Sequence, residues 1–330
     1  MLKRALITGI TGQDASYLSD LLLDKGYEVH GTTRRVSTST DRMWRHSNTG
    51  RITIHQATLE SQASIIKVVQ EVCPDECYHL AAQSDVMNSF QDEFSSLNIN
   101  INGTHFLLDA IRHYAPKCRF YFAGSSEMFG GIGEKTQDEN TPFNPRSPYA
   151  ISKSTGFHLA KHYRESHHLF ASSGILFNHE SPRRGEEFVT RKIAMGVAAI
   201  ANGMAKELRL GNLEPQRDWG YAPEYVMAMY QMLQQNEPDD YVIATNETHS
   251  VSEFAEVAFE QVGLCWKQHV VGDGSMLRPC EVMRLKGDYT KANWKFGWEP
   301  KVKFKQLVAM MVDAELKRKT ISTGERKVFQ

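Results

Sequence analysis

Residues 4–33 read RALITGITGQDASYLSDLLLDKGYEVHGTT, and the order of residue types in this stretch decides the fold. The apolar run Ala5-Leu6-Ile7 gives way at once to Gly9 and Gly12. A segment with apolar residues at helical spacing follows, and then a second strand-like run. That is strand, glycine turn, helix, strand. Gly9, Ile10, Thr11, Gly12, Gln13 and Asp14 form the turn itself. Glycines at its two ends let backbone N–H groups approach a pyrophosphate at the N-terminus of the helix. Ala15 stands where a third glycine is common and is small enough for close helix–strand packing. A lone Gly-x-x-Gly-x-x-Ala is a weak signal. Its place between a first strand and a first helix makes dinucleotide binding the stronger reading over a plain glycine turn.

The same rhythm continues through the first half. RITIHQA (51–57), ECYHLAA (76–82), RFYFAGSS (119–126) and FASSGILFN (170–178) read as strands. ASIIKVVQEVC (63–73) and INGTHFLLDAIRHYA (101–115) read as helices between them. Such alternation predicts an α/β fold with a doubly wound parallel (Rossmann) sheet over residues 1–177. After Asn178 the pattern changes to the polar loop NHESPRRGEEF, a helix through IAMGVAAIANG and the broken run LRLGNLEPQRDWG. Residues 178–330 are therefore expected to form mostly a smaller, interleaved α/β substrate-binding lobe. The stretch from about 220 to 246, with EYVMAMYQMLQQ and DDYVIAT, is suited to rejoin the sheet.

Composition narrows the functional classes. Across 330 residues the formal charge is −1, so bulk electrostatics make no case for nucleic acid or an anionic membrane as a partner. No apolar run reaches transmembrane length, and MLKRALITG starts a strand instead of a signal peptide, so a cytoplasmic location is expected. Five cysteines are odd in number and scattered, and Cys73 and Cys77 lack a second pair at metal-site spacing. Reduced thiols and no metal are the expectation.

Two further segments carry chemistry. Tyr149 and Lys153 stand four apart in SPYAISK, which places them on one helix face. A lysine ammonium there is expected to lower the phenol's pKa, so that Tyr149 takes a hydroxyl proton while a nicotinamide takes the hydride. An ordinary exposed i,i+4 pair is the plain alternative. Ser125, Ser126 and Glu127 stand at the end of RFYFAGSS. The serines also suit a turn after a strand, and a strand-end glutamate is often merely solvated. Tyr-Lys chemistry needs no carboxylate, so Glu127 beside it suggests a second proton transfer. The second strand ends Thr32-Thr33-Arg34-Arg35, without the acid that holds a ribose diol. Two guanidiniums there suit a 2′-phosphate, favouring NADP over NAD, unless both are simply solvated surface groups. The strand ECYHLAAQS is expected to bring Leu80, Ala81, Ala82 and Gln83 beside the cofactor's ribose and nicotinamide, where small residues let the backbone approach.

Together these segments resemble the extended short-chain dehydrogenases/reductases and, more narrowly, the GDP-mannose 4,6-dehydratase family. The resemblance rests on TGITGQD, HGTTRR, LAAQS, SSEMFG, the run ending in SPYAISK, NHESPRRG, GNLEPQRDWG and RPCEV, and spans nearly the whole chain. It implies that Gly9 through Asp14 form the phosphate turn and that Arg35 meets the 2′-phosphate. Tyr149 is then the base, Lys153 holds the nicotinamide ribose, Ser125 stands where the family usually has Thr, and Glu127 is the acid/base. His179 and Arg184 match cofactor-contacting positions. Ser84, Asn178, Lys192, Arg217, Arg278 and Glu281 match positions that hold the GDP-sugar. It also implies a homo-oligomer, either dimer or tetramer.

The family's reaction would oxidise the sugar at C4, eliminate water across C5 and C6, and return the hydride to C6. Departures from the pattern touch the pocket. Ala57-Thr58-Leu59 stands where Gly-Asp-hydrophobic is usual, leaving Thr58 and Leu59 at the adenine edge without an acid. Gly124 replaces a Ser, Ser154 and Thr155 replace larger residues, and Asp85 follows LAAQS. Gly124 and Thr155 are expected to enlarge the sugar site, which keeps a bulkier substrate such as a GDP-manno-heptose as an alternative. A GDP-4-keto-6-deoxyhexose reductase is the other, disfavoured because it needs no C5 base.

Overall fold

The computed structural model describes residues 2–34, 50–131, 133 and 135–327, with the side chains of the last helix described through 318. Its centre is a seven-stranded parallel sheet. The strands are β1 (Arg4–Thr8), β2 (Glu28–Thr33), β3 (Ile52–Gln56), β4 (Glu76–His79), β5 (Arg119–Ser125), β6 (Ala171–Leu176) and, much later in the chain, Asp240–Ile243. In space the order is Asp240–Ile243, β6, β5, β4, β1, β2, β3. The order reverses between β1 and β4, which opens a crevice at the carboxyl ends of those two strands.

Alternation along the strands explains the layers. Ala5 and Ile7 of β1 pack on one face with Tyr78 and Tyr121, while Leu6 packs on the other with Phe120 and Phe122. The first face is covered by α1 (Gln13–Asp24), through Leu18 and Leu22. The opposite face is covered by α2 (Gln62–Val72), α3 (Gly103–Tyr114) and α4 (Pro148–His167). A π-helical turn, Asn98–Asn102, leads into α3.

The second half opens with β7 (Asn178–Glu180) and α5 (Val189–Ala201). Short strands follow: β8 (Leu208–Leu210), β9 (Gln216–Arg217) and β10 (Trp219–Tyr221). Helix α6 (Ala222–Leu233) brings Tyr225 and Met229 to the same face as α1, and the chain re-enters the sheet at β11, the Asp240–Ile243 strand already placed beside β6. The remainder builds a separate core. There α7 (Val251–Glu260) and α8 (Phe304–Lys327) meet α5 around Ile193, Trp219, Phe254 and Leu307. The capping box of Ser250 and Glu253 starts α7 at its observed residue. Among the described residues no helix is long and apolar enough to cross a membrane, and no cluster of His, Cys, Asp and Glu could hold a metal ion.

Candidate active site

The crevice at the carboxyl end of the sheet is a cleft of about 910 Å³, walled by the sheet on one side and the second half of the chain on the other. Its floor is made of backbone. Gly9 has φ +71°, and a Cβ there would lie 2.8 Å from Ala81 Cα. Only glycine lets the first turn pass so close to the exit of β4. Thr8 Oγ1 fixes that approach by accepting from the N–H groups of Leu80 and Ala81, both at 3.1 Å. Gly12 then opens α1 with no side-chain cap, so its first N–H groups face the cleft. An uncapped helix start behind a turn that admits no Cβ fits a dinucleotide pyrophosphate.

Gly9, Thr11, Gly12, Gln13, Asp14, Leu80, Ala82 and Ser84 line the cleft as expected from sequence. Five other expected residues do not line it. Ile10 is buried against Gly31, Ala81 lies under Gly9, and Leu59 packs on Gly103. Thr58 Oγ1 donates to Glu60 at 3.1 Å. The backbone of Gln83 is gripped by Asn100, which accepts from its N–H at 2.8 Å and donates to its carbonyl at 3.1 Å. Arg35 lies outside the described residues.

Sequence reasoning missed Asn100, whose π-helical turn is legible only in three dimensions. Its Nδ2 also donates to Ser152 Oγ at 2.9 Å, which fastens α4 to the β4 exit. Asn88 and Gln91 line the cleft too, and their i,i+3 spacing just after LAAQS was the available signal.

Helix α4 starts at an N-cap, Ser147, which accepts from Ala150 N–H, with Pro148 in the first turn. Tyr149 and Lys153 therefore sit at the cleft end of the helix, both buried. Lys153 Nζ donates to the Ala123 carbonyl at 2.8 Å and lies 5.9 Å from the centroid of the Tyr149 ring. The expected effect of the lysine on the phenol is not what this geometry yields. Burial pushes Tyr149 up to about 12, and a hydrogen bond with Ser125 works against that rise. Burial brings Lys153 down to about 8, with Asp14 opposing. The lysine is turned to the β5 backbone, so its charge is spent there more than on the phenol.

Ser125 ends β5, and its Oγ accepts from Glu127 N–H at 3.3 Å. That bond starts a 3₁₀ turn, Ser126–Met128, which swings Glu127 into the cleft. Glu127 Oε1 lies 3.8 Å from Arg217 Nη2 and 3.8 Å from Arg278 Nη1. Arg217 is anchored on β9 by donating to the Val282 carbonyl at 2.7 Å. Glu281 sits between the two arginines, 3.0 Å from Arg217 and 3.4 Å from Arg278.

NHESPRRG is bound to the first turn. His179 Nε2 is 2.8 Å from Asp14 Oδ2, and its ring stacks on Tyr225 at 4.6 Å. Burial is the largest single influence on each and works against both charges, yet the pairing and the hydrogen bonds around it together outweigh it. His179 is raised above the usual imidazole range and Asp14 is held below the usual carboxylate range. Ser181 Oγ donates to Gln13 Oε1 at 2.7 Å, and Gln13 Nε2 donates to the His179 carbonyl at 3.1 Å. Arg183 pairs with Asp20 at 2.9 Å and Arg184 with Glu180 at 3.0 Å. Asn178, Lys192 and Arg184 line the cleft.

Two substitutions read from sequence as widening the sugar site do not do so. A Cβ on Gly124 would lie 2.9 Å from the Gly174 carbonyl, so this glycine serves the close approach of β5 and β6. Thr155 is absent from the cleft wall, and its hydroxyl donates back to Ile151 on the same helix at 3.0 Å. Asp85 does border the cleft, but its carboxylate accepts from Met87 and Asn88 N–H at 2.8 and 3.3 Å, capping a short helix.

Residues 6–311 match the family model described as GDP-mannose 4,6 dehydratase. GDP-mannose 4,6 dehydratase 1 of Arabidopsis thaliana is 48% identical over 325 residues, covering 95% of this chain and 90% of that protein. Among solved structures, the Thermus thermophilus UDP-glucose 4-epimerase complex with NAD aligns with a TM-score of 0.83 at 25% identity, covering 94% of this chain and 98% of that one. RMD from Pseudomonas aeruginosa complexed with NADPH aligns at 0.79 and 22% identity, covering 96% and 99%, a likeness of fold. With a matching model over most of its length and relatives near half identical, the chain belongs to the GDP-mannose 4,6-dehydratase family.

Proposed function

We propose that the protein converts GDP-mannose to GDP-4-keto-6-deoxymannose, with NADP as its nicotinamide dinucleotide and with Ser125, Glu127, Tyr149 and Lys153 as the working set. The observation that carries this reading is Glu127. A simple alcohol oxidation needs a phenol and a lysine, and here a carboxylate is turned into the same cleft beside them. The uncapped start of α1 and the Gly9 turn would hold the cofactor's pyrophosphate, with Lys153 beside its ribose. NADP is favoured over NAD by the strand-2 ending Thr32-Thr33-Arg34-Arg35, which offers cations and no acid. Such a cofactor would supply a hydride acceptor for C4 oxidation and a donor for C6, together with the positive charge of its oxidised form.

The chain's own groups do the proton work. Tyr149, near 12 as it stands, needs added positive charge to act as a base at neutral pH, and then takes the C4 hydroxyl proton. Ser125, hydrogen-bonded to the phenol, steadies the C4 oxygen as charge moves onto it. The C4 ketone acidifies C5–H, and Glu127 takes that proton. The C5 electron pair forms the C5–C6 double bond while the C6–O bond breaks, and water leaves with the proton Glu127 carried. Glu127 is left unprotonated when the water departs; the proton Tyr149 took from the C4 hydroxyl is exchanged through solvent to Glu127, which protonates C5 as hydride reaches C6, so that both groups return to their starting states.

In this reading residues 1–177, with about 220–246, hold the cofactor and most of 178–330 holds the nucleotide-sugar, through Asn178, Lys192, Arg217, Arg278 and Glu281. Five free cysteines support a reducing, cytoplasmic setting. Exposed Phe94 and Ile151 support a homo-oligomer, dimer or tetramer. The test is incubation of the purified protein with GDP-mannose and no added cofactor. Mass spectrometry should find loss of one water at full turnover, and heat should release NADP. No loss of water from GDP-mannose, with stoichiometric NADPH consumed on GDP-4-keto-6-deoxymannose instead, would point to a reductase, and release of NAD would reverse the cofactor assignment.

A further inference from the structure

The Glu127 carboxylate belongs to a four-membered ion cluster. Arg217 and Arg278 each stand 3.8 Å from its Oε1 and, through the same nitrogens, 3.0 and 3.4 Å from Glu281 Oε1. Two positive and two negative side chains balance. We propose that Arg217 and Arg278 are shared groups: before substrate arrives they hold Glu127, and a docking nucleotide diphosphate takes the carboxylate's place on them and releases Glu127 for work at the sugar. The proposal rests on the reading of the cleft as a GDP-sugar site.

Distances say which contacts yield. At 3.8 Å the pairs with Glu127 lie beyond hydrogen-bond range and are held by charge alone. The pairs with Glu281 are shorter, and Arg217 is further anchored on the Val282 carbonyl at 2.7 Å. The guanidiniums therefore stay in the wall while their looser bond to Glu127 is exchanged. A diphosphate brings about two negative charges and accepts guanidinium N–H groups in paired fashion, which a distant carboxylate cannot match. Other charges facing Glu127 do not replace the arginines. Tyr149 is an acid whose proton is held more tightly because of Glu127, and Lys153 is committed to the Ala123 carbonyl. Lys192, also on the cleft wall, adds one positive charge to the site. A carboxylate that must collect and return the C5 proton is thus kept occupied until the sugar that carries that proton is in place.

The experiment is a double-mutant cycle on GDP binding to the cofactor-loaded protein, measured by calorimetry. If docking has to break the Glu127 contacts, Glu127→Gln removes that competition and GDP binds about 3–10-fold more tightly than to wild type. Simple repulsion between Glu127 and phosphate would also tighten binding, so Arg278→Met completes the cycle. The gain from Glu127→Gln should shrink to under about 2-fold in the Arg278→Met background. Melting temperature and bound-cofactor absorbance establish that each variant is folded, and Glu127→Ala serves as the second probe if the Gln variant is not. Unchanged or weaker GDP binding on loss of Glu127 overturns the proposal, as does a gain that persists undiminished without Arg278. Failure of the wild-type protein to bind GDP at all defeats the substrate reading itself, a different result from binding without the gain.

Discussion

The two walls of the cleft are made of different material. The side proposed to hold the cofactor is backbone: a glycine turn pinned beneath Ala81, the open start of α1, and the threonine clasp of Thr8 on the β4 exit. The opposite side is long charged side chains, with Arg217, Arg278 and Glu281 meeting Glu127 in one cluster. A wall of backbone tolerates no added atom, whereas a wall of ion pairs can exchange partners without moving the chain. Variants that respect this difference should separate binding of the cofactor from chemistry on the sugar.

The largest effect is expected on the side-chain wall. Glu127→Gln should lower kcat by about 10²–10⁴-fold while the protein still retains its cofactor. Water loss measured by mass spectrometry and cofactor stoichiometry measured by absorbance check both halves, and near-normal turnover would sink the assigned role.

Next comes Lys153, where the two walls meet. Its folded pKa of about 8 lies below the ordinary lysine value of 10.5 because burial disfavours the ammonium. Between those values the unfolded chain binds the extra proton, so raising the pH across that window stabilises the fold. Below about 8 the full penalty is present, on the order of 3 kcal/mol. Lys153→Met should abolish that rise in denaturation curves taken from pH 8 to pH 10.5. An unchanged slope would show that another group carries it.

Gly9→Ala attacks the backbone wall. With φ at +71° and the new Cβ 2.8 Å from Ala81 Cα, it should destabilise by about 1–3 kcal/mol and lower the bound cofactor below one per chain. Full cofactor occupancy in this variant would show that the turn has more room than its geometry indicates.

The smallest effect is expected away from both walls. Thr155→Val, on a side chain that faces its own helix, should stay within about 0.5 kcal/mol of wild type and leave sugar preference unchanged. A changed preference between GDP-mannose and a GDP-heptose would restore Thr155 as a pocket residue.

The backbone wall of the cleft was legible in the sequence because backbone geometry leaves compositional marks. Gly9 is where no Cβ fits, Gly12 would bring one to within 3.3 Å of the Gly9 carbonyl, and small Ala81 lies directly under the turn. The helix of Tyr149 and Lys153 was equally plain from their i,i+4 spacing. Ile10 and Leu59 show the limit of such reading. Both occur in runs next to the site, yet each turns its side chain into the core. Gly124 shows another limit, since a missing side chain opens space only in the direction its Cβ would have pointed.

By itself, then, the sequence determined the alternation of strand and helix, the glycine turn at a helix start and the residue types needed for hydride and proton transfer. These are properties of neighbours along the chain, set by local sterics and periodicity. Only the tertiary structure decided that Lys153 faces the Ala123 carbonyl instead of the phenol, that His179 answers Asp14, and that Glu127 shares its arginines with Glu281. Those contacts join residues far apart in the chain. Charge and hydrogen bonding act through space over a few ångströms, and no spacing along the sequence encodes which distant partner folding will bring within that reach.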